Sequence, residues 1–246
     1  MSDSVINHHV PRLRADISGK RLRELLEAAI GVFCRQGFER SQVADVAKAM
    51  GVAVGTVYLY VESKEALFDL AVRYSSEGDR TWLDSIEIPV PTPPPGSTLE
   101  FLRGLFGRKD QWPCLAAALQ SERAEDPRAE LEGVLREQYR LMRRHRYGLL
   151  LLMRSALEFP GLSDVFVLGL RDKLLKLLAK YIESRIAAGQ FRSVSDHFAT
   201  AAILTQSIAW ANLQRPFDPG LSTLTEEVSE TATIELLSNG LLSIEG

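Results

Sequence analysis

The chain of 246 residues is poor in cysteine: Cys34 and Cys114 are its two, and they fit neither a metal-ligand spacing nor a disulfide framework. Both are read as reduced thiols of a cytoplasmic protein. No apolar run reaches the roughly eighteen residues of a membrane-spanning helix, and the start of the chain lacks the basic-then-apolar order of a secretory leader. Sustained polar–apolar alternation is missing, so strands are not expected. A glycine-rich phosphate loop, HExxH, GxSxG and a clustered Cys/His set are all absent, which leaves no recognisable enzyme motif and calls for no cofactor and no metal. His8 and His9 are adjacent but have no third ligand nearby in sequence. A hydrophobic content of 46% with 25% charged residues is that of a soluble globular protein with a substantial core.

The apolar periodicity that is present is helical. It predicts an all-α chain in which a small three-helix head precedes a larger helical domain. A polar arm at 1–17, carrying Arg12 and Arg14, leads into a first helix at 18–36 with Leu22, Leu25, Leu26, Ala29, Ile30 and Phe33 as its buried stripe. The head is expected at 18–64 and the second domain at 65–246. A helix at 64–84 joins the two and offers a route by which movement of one reaches the other. Five of the eleven prolines crowd into IPVPTPPPGS at 88–97, and the Pro-rich loop is placed at 86–97 as a surface linker. Further helices are predicted at 98–106, 113–124, 128–157, 163–188, 195–213 and 223–242, with Gly148, Pro160, Gly161 and Gly189 as breaks or kinks.

The stretch from Gly37 to Leu67, GFERSQVADVAKAMGVAVGTVYLYVESKEAL, carries the functional signal. Ser41 is a candidate N-cap for a helix at 42–50 whose apolar face is Val43, Val46, Ala47 and Met50. Gly51 suits a left-handed turn, and a second helix follows at 53–60. Ala47 is small enough for the two helices to cross closely, and Val46, Val52 and Val57 would lock the angle, as a helix-turn-helix requires. The second helix carries Thr56, Tyr58 and Tyr60, hydroxyl side chains suited to phosphates or base edges in a major groove, together with Ala53, Val54 and Leu59 for thymine methyls. Gln42 would fix register on the DNA backbone, and Ser63 would cap a further helix whose Lys64 would hold a phosphate. The alternative on these residues is an αα-hairpin with a solvated lysine. Between 10 and 64 there are nine basic and six acidic residues, a local +3 against −3 for the whole chain, so the positive charge sits where DNA would lie.

The segments LEAAIGVFCRQGF, QVADVAKAMGVAVGTVYLYV and SKEAL, over residues 20–67, resemble the DNA-binding head of TetR-family transcriptional regulators. The chain departs from the usual pattern at Val54 and Leu59, where polar groups are frequent, and at Ala44, where a basic residue is frequent. The resemblance implies double-stranded DNA with an inverted-repeat operator as partner, repression relieved by a small-molecule effector, and pairing through the two final helices.

Read on their own residues, those final helices allow two outcomes. In 195–213, Ala201, Leu204, Ile208 and Ala211 share one face, with Phe198, Ala202 and Ala209 beside it. That surface either folds onto its own core or joins 223–242 in a four-helix homodimer interface. For the effector, the stripe Val134, Gln138, Leu141, His145, Leu149, Leu152 sets two polar groups on an apolar face, the composition of a small-molecule pocket. Trp112 and Glu122 belong to a second mixed stripe, and Met142 and Phe166 are candidate walls. Core packing is the competing role for all six. The basic run Arg140, Arg143, Arg144, His145, Arg146 suits an acidic ligand or a solvated helix face. The expectation is thus a DNA-binding repressor with a small apolar or amphipathic effector; the alternative is a DNA-binding regulator controlled by a protein partner.

Overall fold

A computed structural model describes residues 10–76, 80–108, 110–156, 158–159 and 161–243, the backbone alone for 10–18. His8, His9 and Pro160 and the side chains of Arg12 and Arg14 lie outside the described residues. Among these residues the fold is all-α, with eleven α-helices and no strand beyond two isolated bridges. They form two compact units, one within 1–98 together with 150–160, the other within 99–149 together with 161–246. The first unit therefore runs past the expected boundary at 64.

The first unit holds α1 (Val10–Gln36), α2 (Val43–Met50), α3 (Val54–Val57) and α4 (Lys64–Ser76). α1 starts earlier than expected, at Val10. Pro11 then falls in its first turn, where a missing N–H costs nothing, and Val10, Leu13 and Ile17 continue the helical spacing. The predicted stripe from Leu22 to Phe33 is fully buried against α2 and α4. Four phenylalanines hold this packing: the Phe68 ring lies 5.2 Å from Phe33, 4.8 Å from Phe38 and 5.2 Å from Phe159. α4 ends at Ser76 instead of reaching 84, and a 3₁₀ turn at Thr81–Ser85 follows. α4 thus lies wholly in the first unit and is not the shared helix the sequence suggested.

The second unit holds α5 (Ser97–Phe106, from Leu99 on), α6 (Pro113–Ala118), α7 (Pro127–Arg144), the start of α8 (Arg146–Ser155), α9 (Lys173–Ala187), α10 (His197–Ala209) and α11 (Glu226–Leu241). α6 stops at Ala118, short of 124. The expected long helix at 128–157 breaks at His145, whose φ of −103° and ψ of 19° end α7, while Gly148 sits inside α8. A π-helical stretch, Asp164–Asp172, leads into α9, and another, Trp210–Gln214, extends α10. Tyr139 of α7, Tyr181 and Ile182 of α9, Ile208 of α10 and Ile234 of α11 meet in one core. Ala201, Leu204, Ile208 and Ala211 are buried there, so the face first considered for dimerisation folds onto its own core.

Candidate nucleic-acid interface

Local chemistry sets the helix-turn-helix. α2 begins at Gln42, whose backbone N–H donates to the Asp45 carboxylate at 2.9 Å. Ser41 is not the cap: it is buried, and its hydroxyl donates back to the Gly37 carbonyl. Gly51 ends α2 at φ +68°, and the Val52 N–H reaches the Ala47 carbonyl at 3.0 Å. This is the left-handed glycine stop expected there. Val46, Ala47 and Val57 are buried at the crossing of α2 and α3.

α3 is a single turn, Val54–Val57, not a helix across 53–60. β-branched and aromatic residues crowd 57–61, which disfavours further helix. What it presents is informative. Val54 is 40% exposed, Tyr58 47% and Leu59 66%, while Thr56 and Tyr60, the pair predicted to share the reading face, are half-buried. Gln42, Ala44, Lys48 and Ala53 are exposed. The outward surface is therefore apolar and aromatic at its centre, with an exposed lysine and glutamine on the preceding helix.

Lys64 departs from its expected role. Its ammonium donates to the carbonyls of Phe38 at 3.0 Å and Glu39 at 3.4 Å and lies 4.3 Å from the centre of the Phe38 ring. It fastens the loop after α1 to the start of α4. Ser63 does cap α4, accepting the Ala66 N–H at 3.1 Å.

The six ligand candidates are not gathered at one place by any cavity described for the second unit. Trp112 is buried in the core with the Lys173 ammonium 5.7 Å from its ring centre. Glu122 is exposed beyond the end of α6, and Met142 and Phe166 are half-buried. His145 closes α7. Gln138 is 1% exposed and neither end of its amide has a hydrogen-bond partner. A cavity of about 280 Å³ lies instead among Arg103, Phe106, Asp164, Val165, Gly169 and Lys173. Three arginines of the basic run are paired: Arg140 and Arg143 reach Glu230 at 3.0 and 3.4 Å, and Arg146 reaches Glu226 at 2.7 Å, tying α7 and α8 to α11. Periodicity gives no sign of these pairings, because the acids lie some 80 to 90 residues away in the chain.

Residues 25–71 match the family model of bacterial regulatory proteins of the tetR family. An uncharacterised HTH-type transcriptional regulator of Bacillus subtilis, YfiR, is 43% identical over 58 residues, which are 24% of this chain and 28% of that protein. The match spans little more than a quarter of that relative's length. Two solved structures extend the likeness along the chain. The ketosteroid transcriptional regulator KstR2 of Mycobacterium tuberculosis superposes with a TM-score of 0.55 at 19% identity, over 91% of this chain and 96% of that one. AibR, solved with isovaleryl coenzyme A and operator DNA, gives 0.51 at 17% identity over 88% and 97%. At these identities the likeness is one of fold. Residues 25–71 thus match the DNA-binding head of the tetR family of bacterial regulatory proteins, and the helices that follow share the fold of those two regulators.

Proposed function

We propose that the chain is a DNA-binding transcriptional repressor that acts as a homodimer and is released from its operator by a small amphipathic effector. The carrying observation is the exposed face of α3 and the residues after it. Val54, Tyr58 and Leu59 stand outside on the second helix of a helix-turn-helix and the two residues after it, where Val57 between them is buried. Those side chains, with Gln42, Ala53, Thr56 and Tyr60, are assigned to the operator. The exposed edges of the last two helices support pairing: Ile203 is 65% and Leu236 72% exposed, with Phe198, Trp210 and Val228 also outside. A dimer through 195–213 and 223–242 covers them and sets two heads on two half-sites.

The effector reading rests on Gln138, a buried amide with no partner, since such a group calls for one. The acyl-CoA thioester held by AibR indicates the size and amphipathic character of ligand to try first. By linkage, an effector that weakens operator binding is itself bound more weakly by the same factor when operator is present.

Selection of bound duplexes from a random pool, repeated over a range of salt, tests the reading. An enriched inverted repeat with a steep salt slope is expected. Failure to enrich any sequence overturns sequence-specific DNA reading, and a monomer by light scattering overturns the dimer. Saturating effector that leaves operator affinity unchanged returns the reading to a regulator controlled by a protein partner.

A further inference from the structure

The Pro-rich segment is not a loose linker. Between α4 and α5 the chain turns back across the head and is fastened to it along its length. Leu83 is buried, and Asp84 pairs with Arg23 of α1 at 2.6 Å. Val90 then forms a short parallel bridge with Val61: its N–H donates to the Tyr60 carbonyl at 2.8 Å, and its carbonyl accepts the Glu62 N–H at 3.0 Å. Two residues on, the Thr92 N–H donates to the Glu62 carboxylate at 3.1 Å and the Thr92 hydroxyl bonds the Ser63 hydroxyl at 2.9 Å. The strap ends in a buried hydrogen bond, Thr98 to Asp69 of α4, at 2.7 Å.

The bridge meets the head at the residues just after the reading turn. That turn is short and weakly bonded at its centre. The Thr56 N–H reaches the Ala53 carbonyl and the Tyr60 N–H the Val57 carbonyl, both at 2.9 Å, but between them the Tyr58 N–H reaches Val54 at 3.4 Å and the Leu59 N–H reaches Thr56 at 3.3 Å, both long. A single helical turn is marginal without outside contacts. On its N-terminal side it has the packing of Val57 against α2; on its C-terminal side, past its own Tyr60–Val57 bond, the nearest bonds to another segment are the two made by Val90. Tyr58, Leu59 and Tyr60 lie between these supports, so their direction depends on the strap. The Asp84–Arg23 pair is exposed and contributes little by comparison.

We propose that the strap, through Val90 and Thr92, is a positioning element that sets how Tyr58, Leu59 and Tyr60 meet the operator, and so sets sequence discrimination. This rests on the DNA-reading function proposed above. It requires no contact between the strap and DNA; Val90 acts through the backbone of Tyr60 and Glu62, and Thr92 through the Glu62 carboxylate and the Ser63 hydroxyl.

The test uses the full chain and fluorescence anisotropy on the selected operator, on operators with single-base changes, and on a scrambled duplex. Val90→Pro removes the N–H given to Tyr60; Thr92→Val keeps the shape and removes the hydroxyl; Thr92→Ser restores it. Loss of one hydrogen bond at each point predicts a fall in discrimination of about tenfold for Val90→Pro and about threefold for Thr92→Val, with Thr92→Ser close to wild type. Scrambled-duplex affinity and the salt slope stay unchanged, since the phosphate contacts remain. A parallel loss on every duplex that tracks a falling melting temperature overturns the proposal and makes the strap a support of the fold alone. Unchanged discrimination in both variants also overturns it. If the wild-type chain prefers no sequence, the DNA-reading function fails first and this inference with it.

Discussion

Replacing Lys64 by alanine distinguishes two roles that the sequence leaves open for it. Its place in the first turn of α4 suggested a phosphate ligand, yet its ammonium is spent on the Phe38 and Glu39 carbonyls and on the Phe38 ring. The 3.0 Å bond to Phe38 is charge-assisted and worth roughly 1.5–3 kcal/mol when fully buried; the cation–π contact adds about 0.5–1 kcal/mol. The 3.4 Å bond adds little. Lys64 is half-buried, so water replaces part of what is lost, and a net cost of about 1.5–2.5 kcal/mol follows. In a chain of this size that lowers the melting temperature by about 3–10 °C. Thermal unfolding followed by circular dichroism reads the shift, and operator affinity measured from low to high salt reads the charge contacts. Lys64→Ala is expected to melt early while the slope of log affinity against log salt stays as in wild type. Lys64→Met, which keeps the stem over Phe38, falls between. An unchanged melting temperature with a slope shallower by about 0.9 would refute the internal role and restore the phosphate contact.

Arg185 is the corresponding anchor of the second unit. It is 0% exposed, paired with Glu130 at 2.7 and 3.0 Å, and it donates to the Ala118 and Ser121 carbonyls. Arg185→Ala should cost about 3–5 kcal/mol by denaturant melting, and Arg185→Met with Glu130→Met together should cost less than Arg185→Ala, because no buried charge is then left alone; an equal or greater loss in the pair sinks this. Burial pushes the Glu226 carboxyl up, but the hydrogen bond and charge of Arg146 and the charge of Arg215 outweigh it, leaving the group below its ordinary 4.5. That stability is whole above the ordinary value and is lost as pH falls through the lowered one, so wild type should lose stability below about pH 4.5 more steeply than Glu226→Gln. Parallel curves for the two would remove the linkage. Burial also raises the Cys34 thiol to about 12 against the lowering charges of Arg35 and Arg154. At pH 8 a thiol reagent should modify Cys114 in the native chain and Cys34 only on unfolding, counted by mass spectrometry; native labelling at Cys34 in a Cys114→Ser chain is the contrary result.

The head was legible because its determinants are local. The stripe from Leu22 to Phe33, the glycine stop at Gly51, the small Ala47 at the crossing and the Ser63 cap all follow from residues within a few positions of one another. Errors arose where a distant partner competed for a local signal. Ser41 has the chemistry of an N-cap, but the Gly37 carbonyl takes its hydroxyl and Asp45 serves the start of α2 from inside the helix. Lys64 has the position of a phosphate ligand, but the loop after α1 takes its charge. Thr56 and Tyr60 stand four apart and suggest one shared face, yet once the helix ends after one turn that spacing no longer sets direction. The exposed centre then moves to Val54, Tyr58 and Leu59, and Val54 and Leu59 are two of the positions at which the chain departs from the usual pattern.

In the second unit the limits are of the same kind and larger. Periodicity placed most of the helices of this unit, because each buries one stripe, but it did not say which apolar stripe turns inward. Ala201, Leu204, Ile208 and Ala211 fill the core, and the edge left outside, with Ile203 and Trp210, is the less regular one. The arginines of α7 and α8 read as a basic patch until Glu226 and Glu230 are brought against them. The prolines of 88–97 excluded helix correctly, but composition says nothing of where an extended segment lies down. Only Val90 and Thr92, set between prolines, keep an N–H to give, and both give it to the residues that follow the reading turn. Between Pro89 and Pro95 the strap therefore has two backbone donors and uses both on the head. Those two bonds, made beside the reading turn, are the physical ground on which the proline run is proposed as a positioning element.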